Sequence, residues 1–282
     1  MIAVVDYQKG NLKSVERGLI AAGGEALITA DASEIAKADA IVLPGVGAFA
    51  DAAATMCELG QMEVIRDRVR AGVPFLGICL GEHLMFEHGV EGAPEGNPAC
   101  GLGLLPGTVV AMPRCDAQGK AFKVPHVGWN TIEMPACNGG AAVPPCGEGG
   151  GNAVLSSGGA GGGAARSSAA KRGLFEHGAF PGSAPQVGSE LAFPDSTPQP
   201  GSDLAFACPL FDGIAPGEYF YFTHSYIAPT GSHTIAETTH STRFTSAVQF
   251  GECAFGVQFH PEKSSDAGAR VLANFVAIAA RG

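Results

Sequence analysis

The chain is poor in charge, and in positive charge above all. Only 16% of its 282 residues are charged, and 17 Lys and Arg stand against 27 Asp and Glu, which gives a net charge of −10 at pH 7. An acidic balance of this size argues against nonspecific binding to nucleic acid, because the phosphate backbone would be repelled.

Segments that would direct the chain into a membrane or a secretory route are also missing. No uninterrupted apolar run reaches the length of a bilayer-spanning helix. The sequence opens on a strand pattern, residues 2–6, without the basic and long apolar regions of a signal peptide. The eight cysteines form no C-x-x-C pair and no zinc-ligand spacing. We therefore expect a cytoplasmic protein with free thiols, no metal site and no membrane contact.

Strand and helix patterns alternate through the first half of the chain. Apolar β-branched runs are predicted as strands and runs with helical spacing as helices, at residues 2–6, 12–22, 26–29, 40–43, 49–71 with a break near Gly60, 73–76 and 80–88. Such alternation predicts an α/β fold with a parallel sheet and helices on both faces.

The second half is predicted to contain short strands and one closing helix. The strand-like runs are residues 108–112, 218–224, 234–239, 247–249 and 254–259, and the helix is residues 268–279. Turn signals between the runs indicate a more antiparallel part of the sheet. The predicted fold class is therefore α/β, with a mixed, largely parallel central sheet flanked by helices.

Between these parts, residues 136–207 are rich in Gly, Ala, Ser and Pro. Their composition predicts a disordered, low-complexity insertion within a single domain of residues 1–282, with a small ordered subdomain as the alternative.

A reactive cysteine is predicted at residue 79. The stretch Gly77-Ile78-Cys79-Leu80-Gly81 joins a predicted strand to a predicted helix, which is the layout of a nucleophile elbow. The glycines permit a sharp turn, and the start of a helix favours a thiolate. The alternative is a buried structural thiol.

His260 and Glu262 are the predicted partners of Cys79. His260 ends a strand and precedes Pro261, so it is either a turn histidine or the general base of the cysteine. Glu262 is either a solvated carboxylate or the group that orients the imidazole.

Two further features lie near the elbow. The turn Pro44-Gly45-Val46-Gly47 is either a plain strand-to-helix connection or the source of a backbone N–H for an oxyanion hole, contributed by Gly45 and Val46 beside the N–H of Leu80. His83 shares a helix face with Cys79. A metal pair there would lack a third ligand.

The motifs described above, in their order along the chain, resemble those of a class I glutamine amidotransferase. The resemblance is closer to the glutaminase subunits of imidazole glycerol phosphate synthase. The resemblance covers nearly the whole chain outside the insertion. It is carried by Ile2-Ala3-Val4-Val5-Asp6-Tyr7, Gly10-Asn11-Leu12, residues 42–49, Phe75-Leu76-Gly77-Ile78-Cys79-Leu80-Gly81, residues 124–130, Tyr221-Phe222-Thr223-His224-Ser225-Tyr226 and residues 255–264.

The resemblance implies hydrolysis of glutamine by Cys79, His260 and Glu262, without a cofactor. It also implies transfer of the ammonia to a (β/α)8-barrel cyclase subunit that makes imidazole glycerol phosphate and aminoimidazole carboxamide ribonucleotide. The implied substrate-binding residues are Gly47, His83, His224, Ser225 and Tyr226, and the implied partner interface contains Asn11, His126, Trp129 and Asn130. Members of the family usually carry glutamine where this chain has His83.

Three alternatives stay open at this point: another class I amidotransferase, a cysteine peptidase of similar fold, or a degenerate subunit that binds its partner without turnover. Glutamate release, measured with and without the cyclase, would distinguish them.

Overall fold

The computed structural model of the chain describes residues 1–135, 206 and 208–281. The predicted insertion at residues 136–207 therefore lies outside the described residues, apart from Phe206. Phe206 is buried and its ring centroid lies 4.9 Å from that of Phe211. At this end of the predicted insertion, the chain is thus already part of the core.

The described residues contain both helices and strands. The helices are α1 (Leu12–Ala21), α2 (Ala32–Lys37), α3 (Phe49–Glu58), α4 (Gln61–Arg70), α5 (Leu80–His83) and α6 (Ser265–Ala279). The strands are β1 (Ile2–Val5), β2 (Ala26–Thr29), β3 (Ala40–Gly45), β4 (Phe75–Cys79), β5 (Phe86–Gly89), β6 (Ala99–Cys100), β7 (Leu105–Ala111), β8 (His126–Thr131), β9 (Tyr219–His224), β10 (Tyr226–Ile227), β11 (Thr234–Thr239), β12 (Arg243–Phe250) and β13 (Ala254–Val257). None of the helices in this part of the chain combines the length and apolar character needed to cross a membrane.

A seven-stranded sheet with the order β11-β12-β13-β4-β3-β1-β2 forms the centre of the fold. The neighbours from β13 to β2 pair in parallel, whereas β12 runs antiparallel to both β11 and β13. The predicted fold class, α/β with a mixed and largely parallel sheet, is confirmed.

Two smaller sheets stand outside the central one, with the orders β10-β7-β5-β6 and β8-β9. Two of the strands predicted for the antiparallel part of the main sheet, β7 and β9, belong to these smaller sheets. The prediction of a helix at residues 80–88 was wrong beyond His83. Phe86 is buried and pairs with Leu105, and His88 pairs with Thr108, so sheet pairing overrides the local helical pattern.

Both faces of the central sheet are covered. In β1, Ile2 and Val4 join a core cluster with α1 and α6, and Ala3 and Val5 join a second cluster with α3 and α4. Successive side chains of a strand point to opposite faces, so a strand buried on both faces is apolar throughout. All described residues belong to one compact unit.

Candidate active site

Cys79 occupies a strained turn at the end of β4. Its backbone has φ 55° and ψ −106°, a left-handed conformation that is unusual for a residue with a side chain. A Cβ atom at Gly77 would lie 2.5 Å from the backbone oxygen of Gly81, and a Cβ atom at Gly81 would collide with the backbone oxygen of Leu43. The two glycines therefore allow the tight turn that presents Cys79. Because α5 is a single turn, the predicted stabilisation of a thiolate by a helix dipole is small here.

His260 and Glu262 form a buried pair beyond the end of β13. Their side chains are 3% and 1% exposed, and His260 Nδ1 lies 3.0 Å from Glu262 Oε1. The backbone N–H of His260 donates to Tyr221 O at 2.9 Å, and Ser264 Oγ donates to His260 O at 2.7 Å. These two bonds hold the backbone of His260, and the contact of Nδ1 with Glu262 orients its imidazole ring. Its second nitrogen, Nε2, is buried and has no hydrogen-bond partner in the described part of the chain.

The environment of His260 favours the protonated imidazole. Burial lowers the pKa of His260, but the neighbouring Cys79 sulfur and the Glu262 carboxylate raise it by more, to about 9. At neutral pH the ring therefore carries a proton that it can donate. A cysteine, a protonated imidazole and an orienting carboxylate are the parts of a nucleophilic triad.

A cavity of about 260 Å³ opens over Cys79. Its lining includes most of the residues that the sequence analysis named, namely Val46, Gly47, Cys79, Leu80, His83, His224, Ser225 and Tyr226. The sequence analysis did not single out the other lining residues, Glu91, Pro125 and Thr223. Gly45 pairs with Cys79 across β3 and β4, and a Cβ atom there would collide with the Tyr7 hydroxyl oxygen.

Gln258 is a residue of the site that sequence reasoning missed. Its side-chain Nε2 donates to Cys79 Sγ at 3.6 Å, and its Oε1 accepts a hydrogen bond from His83 Nε2 at 2.6 Å. The available signal was a polar residue inside an otherwise apolar strand run, Phe255-Gly256-Val257-Gln258-Phe259.

Glu82 brings a second carboxyl group to the neighbourhood of Cys79. The residue is fully buried, and neither side-chain oxygen has a hydrogen-bond partner among the described residues. Burial raises the pKa of Glu82 well above its usual 4.5, and the interaction with Cys79 raises it further. Glu82 therefore holds its proton to a higher pH than an exposed glutamate does.

The residues predicted for a partner interface fall into two groups. Asn11 at the start of α1 and Trp129 on β8 are exposed, Trp129 by 51%. His126 is buried and connects to the cavity, because its Nδ1 lies 3.0 Å from His224 Nε2. Asn130 Nδ2 lies 3.2 Å from His126 Nε2 and extends this chain of hydrogen bonds toward the surface.

The hydrogen bonds that join Tyr226, His224, His126 and Asn130 require both histidines to be neutral. His224 Nδ1 lies 2.8 Å from Tyr226 O and must donate to it, so His224 Nε2 accepts from His126 Nδ1. Burial lowers the pKa of His126 to about 4 and that of His224 to about 3. Both rings are therefore neutral near pH 7, and each ring nitrogen of His126 and His224 has a hydrogen-bond partner.

The chain is similar to known proteins along nearly its whole length. The sequence model of the family described as "Glutamine amidotransferase class-I" matches residues 3–135 and 192–279. Among curated proteins, "Imidazole glycerol phosphate synthase subunit HisH" of Moorella thermoacetica is 34% identical, over 97% of this chain and 93% of the relative. The proteins of the same name from Aromatoleum aromaticum and Rhodopirellula baltica are 33% and 34% identical, over 99% and 98% of this chain and 98% and 96% of their own lengths.

Solved structures share the fold at low sequence identity. A crystal structure of a glutamine amidotransferase superposes with a TM-score of 0.55 at 16% identity, covering 99% of this chain and 98% of the other. The PurLQS structure from Thermotoga maritima gives a TM-score of 0.54 at 14% identity, covering 98% and 97%. At these identities the superpositions support the fold alone.

Proposed function

The chain belongs to the class I glutamine amidotransferase family, among the HisH subunits of imidazole glycerol phosphate synthase, and we propose that it releases ammonia from glutamine for a cyclase subunit in histidine biosynthesis. The observation that carries the proposal is the buried His260–Glu262 pair beside Cys79, which lines the cavity at the carboxyl ends of the parallel strands.

In the first step, Cys79 Sγ attacks the side-chain carboxamide carbon of glutamine. The tetrahedral intermediate then collapses, the carbon–nitrogen bond breaks, and His260 donates its proton to the leaving nitrogen. Ammonia departs and a γ-glutamyl thioester stays on Cys79. Glu262 holds the imidazole through Nδ1 and stabilises its protonated form.

In the second step, water attacks the thioester while His260 takes its proton. The carbon–sulfur bond breaks, glutamate leaves, and Cys79 is restored. One glutamine and one water therefore give one glutamate and one ammonia.

We assign the oxyanion hole to backbone N–H groups at the ends of β3 and β4. The N–H of Leu80 follows Cys79 directly, and the Gly45–Val46 peptide lies beside it because Gly45 pairs with Cys79. One such donor is worth roughly 3–4 kcal/mol in the transition state. We assign contacts with the remainder of glutamine to Gly47, His83, His224, Ser225 and Tyr226, which line the same cavity.

We assign the docking surface for a (β/α)8-barrel cyclase to the neighbourhood of Asn11, His126, Trp129 and Asn130. The products of that cyclase would be imidazole glycerol phosphate and aminoimidazole carboxamide ribonucleotide. Large apolar side chains are exposed on the adjoining strands β8 and β9: Val127 by 55%, Trp129 by 51% and Tyr219 by 58%. Exposed aromatic side chains of this kind are common anchors of protein interfaces.

Glutamate and ammonia release test the proposal. The isolated chain should hydrolyse glutamine slowly, and the rate should rise sharply with the cyclase and its phosphoribulosyl ligand, because a partner can set the peptide at the glycine-flanked turn after β3. Cys79→Ser should reduce the rate by about 10⁴-fold or more. Cys57→Ser, at an exposed cysteine of α3, should leave it unchanged.

The other outcomes point to the competing functions. Equal rates for the isolated chain, for the chain with the cyclase, and for that pair with its phosphoribulosyl ligand would indicate a stand-alone hydrolase. Peptide cleavage without a partner would indicate a peptidase. A chain that binds the cyclase but never releases glutamate would be a degenerate binding subunit.

A further inference from the structure

Gln258 places a fully buried amide against the reactive cysteine. It follows β13 and stands between Val257 and Phe259, which are both fully buried in the core. Its Nε2 donates to Cys79 Sγ, and its Oε1 accepts from His83 Nε2. Both polar groups of the buried amide therefore form hydrogen bonds with side chains around Cys79 and are shielded from solvent.

The chemistry of the two groups sets the direction of these hydrogen bonds. An amide oxygen only accepts, so His83 Nε2 must carry a hydrogen. Burial lowers the pKa of His83 to about 4, although the hydrogen bond with Gln258 opposes this, and the neutral ring then holds its proton on Nε2. If the amide were reversed, its oxygen would face the sulfur and repel a thiolate. In the orientation observed, the Gln258 N–H faces Cys79 Sγ while Gln258 Oε1 accepts from His83 Nε2.

We propose that Gln258 is a catalytic residue that holds Cys79 Sγ as a thiolate by donating an N–H hydrogen bond to it, and that His83 is a positioning residue that fixes the Gln258 amide. The proposal rests on the proposed nucleophilic role of Cys79. It assigns to His83 a task beyond contact with glutamine, because its Nε2 is occupied by Gln258.

The surroundings of Cys79 explain why such a donor is needed. Tyr7, Glu82 and His260 are titratable groups that interact electrostatically with Cys79. Tyr7 and Glu82 are buried, and burial and the interaction with Cys79 raise the pKa of each, so both side chains hold their protons to a higher pH than exposed ones do. His260 supplies positive charge, and α5 is too short to add a strong dipole. The Gln258 N–H is a further stabilising contact to the sulfur.

Alkylation of Cys79 tests the proposal without requiring turnover. The rate of reaction with iodoacetamide would be followed at residue 79 by peptide mapping, as a function of pH, in the full chain. In Gln258→Leu, the pH at which the alkylation rate of Cys79 reaches half of its maximum should rise by about one pH unit. At pH values below this midpoint, alkylation should be about tenfold slower than in the wild type. A change of this size is expected for the loss of one hydrogen bond to a charged group. His83→Leu should shift the midpoint in the same direction.

A conservative variant and a matched control separate this role from simple packing. His83→Gln keeps an N–H donor toward Gln258 Oε1 and should restore the wild-type profile. Gln61→Leu removes another fully buried amide, whose Nε2 donates to Asp6 O and Ala30 O, and should leave the profile unchanged.

Three results would overturn the proposal: an unshifted profile in a Gln258→Leu protein that is folded by circular dichroism, an equal shift in Gln61→Leu, or no rescue by His83→Gln. If Gln258→Leu does not fold, His83→Leu decides the question by the same measurement. A wild-type chain that releases no ammonia would contradict the proposed function alone, since the alkylation profile still reports on Gln258.

Discussion

Glu82 places an ionisable carboxyl group in the buried interior of the protein. Its carboxyl group is buried without a hydrogen-bond partner in the described part of the chain, and a Cβ atom built at Gly256 would lie only 2.8 Å from its Cγ. An unpaired buried polar group of this kind costs about 1–3 kcal/mol of stability. The cost depends on pH, because the group is neutral only while it holds its proton.

Replacement of Glu82 by Met should therefore stabilise the protein, and more at alkaline than at acidic pH. Above about pH 4.5 the unfolded chain releases this proton while the folded protein keeps it, because the folded pKa is raised. The folded state then binds more protons, and the free energy of unfolding of the wild type falls as pH rises from 4.5 toward the raised pKa. Glu82→Met removes this loss and should gain about 1–3 kcal/mol at mildly alkaline pH.

Urea unfolding at acidic and alkaline pH measures this difference. Glu58→Met, at an exposed position in the last turn of α3, provides the control and should change neither the stability nor its pH dependence. A gain that is the same at both pH values would mean that the Glu82 carboxyl does not titrate as described.

At the scale of single elements, β8 presents different surfaces on its two faces. Val127 and Trp129 are more than half exposed, whereas His126, which alternates with them, is buried and hydrogen-bonded to the cavity residue His224. Alternation along the strand thus places an apolar outer face directly behind His126, which is hydrogen-bonded to the cavity residue His224. A partner bound to that face would contact the same strand that supports His224.

Trp129→Ala should weaken binding of the cyclase without weakening the fold. The indole is 51% exposed and packs edge-on against Tyr221, with ring centroids 6.1 Å apart, so little core packing is lost. Large aromatic anchors at an interface often contribute about 2 kcal/mol or more, so we expect binding about thirtyfold weaker by calorimetry.

Leu27→Ala is the control for that measurement. Leu27 is 42% exposed on β2, the edge strand of the central sheet, and lies outside the proposed docking surface. The assignment of β8 to the interface is wrong if the two variants bind the cyclase equally well.

At the scale of the whole molecule, the segment at residues 136–207 is flanked by two parts of the fold that are already held together. β8 pairs with β9, and beyond the strands Ile132 N donates to Glu218 O at 3.1 Å while Gly217 N donates to Ile132 O at 2.7 Å. The chain on either side of the segment is therefore anchored by contacts that the segment does not supply. A long loop between fixed ends costs only slightly more entropy than a short one.

Replacement of residues 137–202 by a short Gly/Ser linker should leave a folded subunit, with a thermal midpoint that changes by no more than a few degrees. This variant keeps Phe206, which is buried. Aggregation, or a drop of several degrees in differential scanning calorimetry, would show that the removed residues pack on the core.

The sequence alone determined the features that depend on local constraints. Some features of the sequence constrain only a few neighbouring residues: the apolar run of β4, the glycines around Cys79 and the strand-ending pair Pro44-Gly45. Such features predicted the turn, the order of strands and helices, and the parallel sheet. The break near Gly60 appears between α3 and α4, where Gly60 has φ 67°. Cys79, His260 and Glu262 could be singled out as candidate site residues because elbow and strand-end motifs are local patterns as well.

Only the tertiary structure decided which distant residues meet. The residues after α5 form β5 instead of more helix, because Phe86 pairs with Leu105. His83 lies 175 positions from Gln258, and Gln258 lies 179 positions from Cys79. Their contacts arise because β13 and β4 pair in register, which brings Val257 opposite Ile78. Hydrophobic periodicity specifies which face of a strand is buried but not which strand becomes its neighbour, so this part of the site follows from sheet order alone.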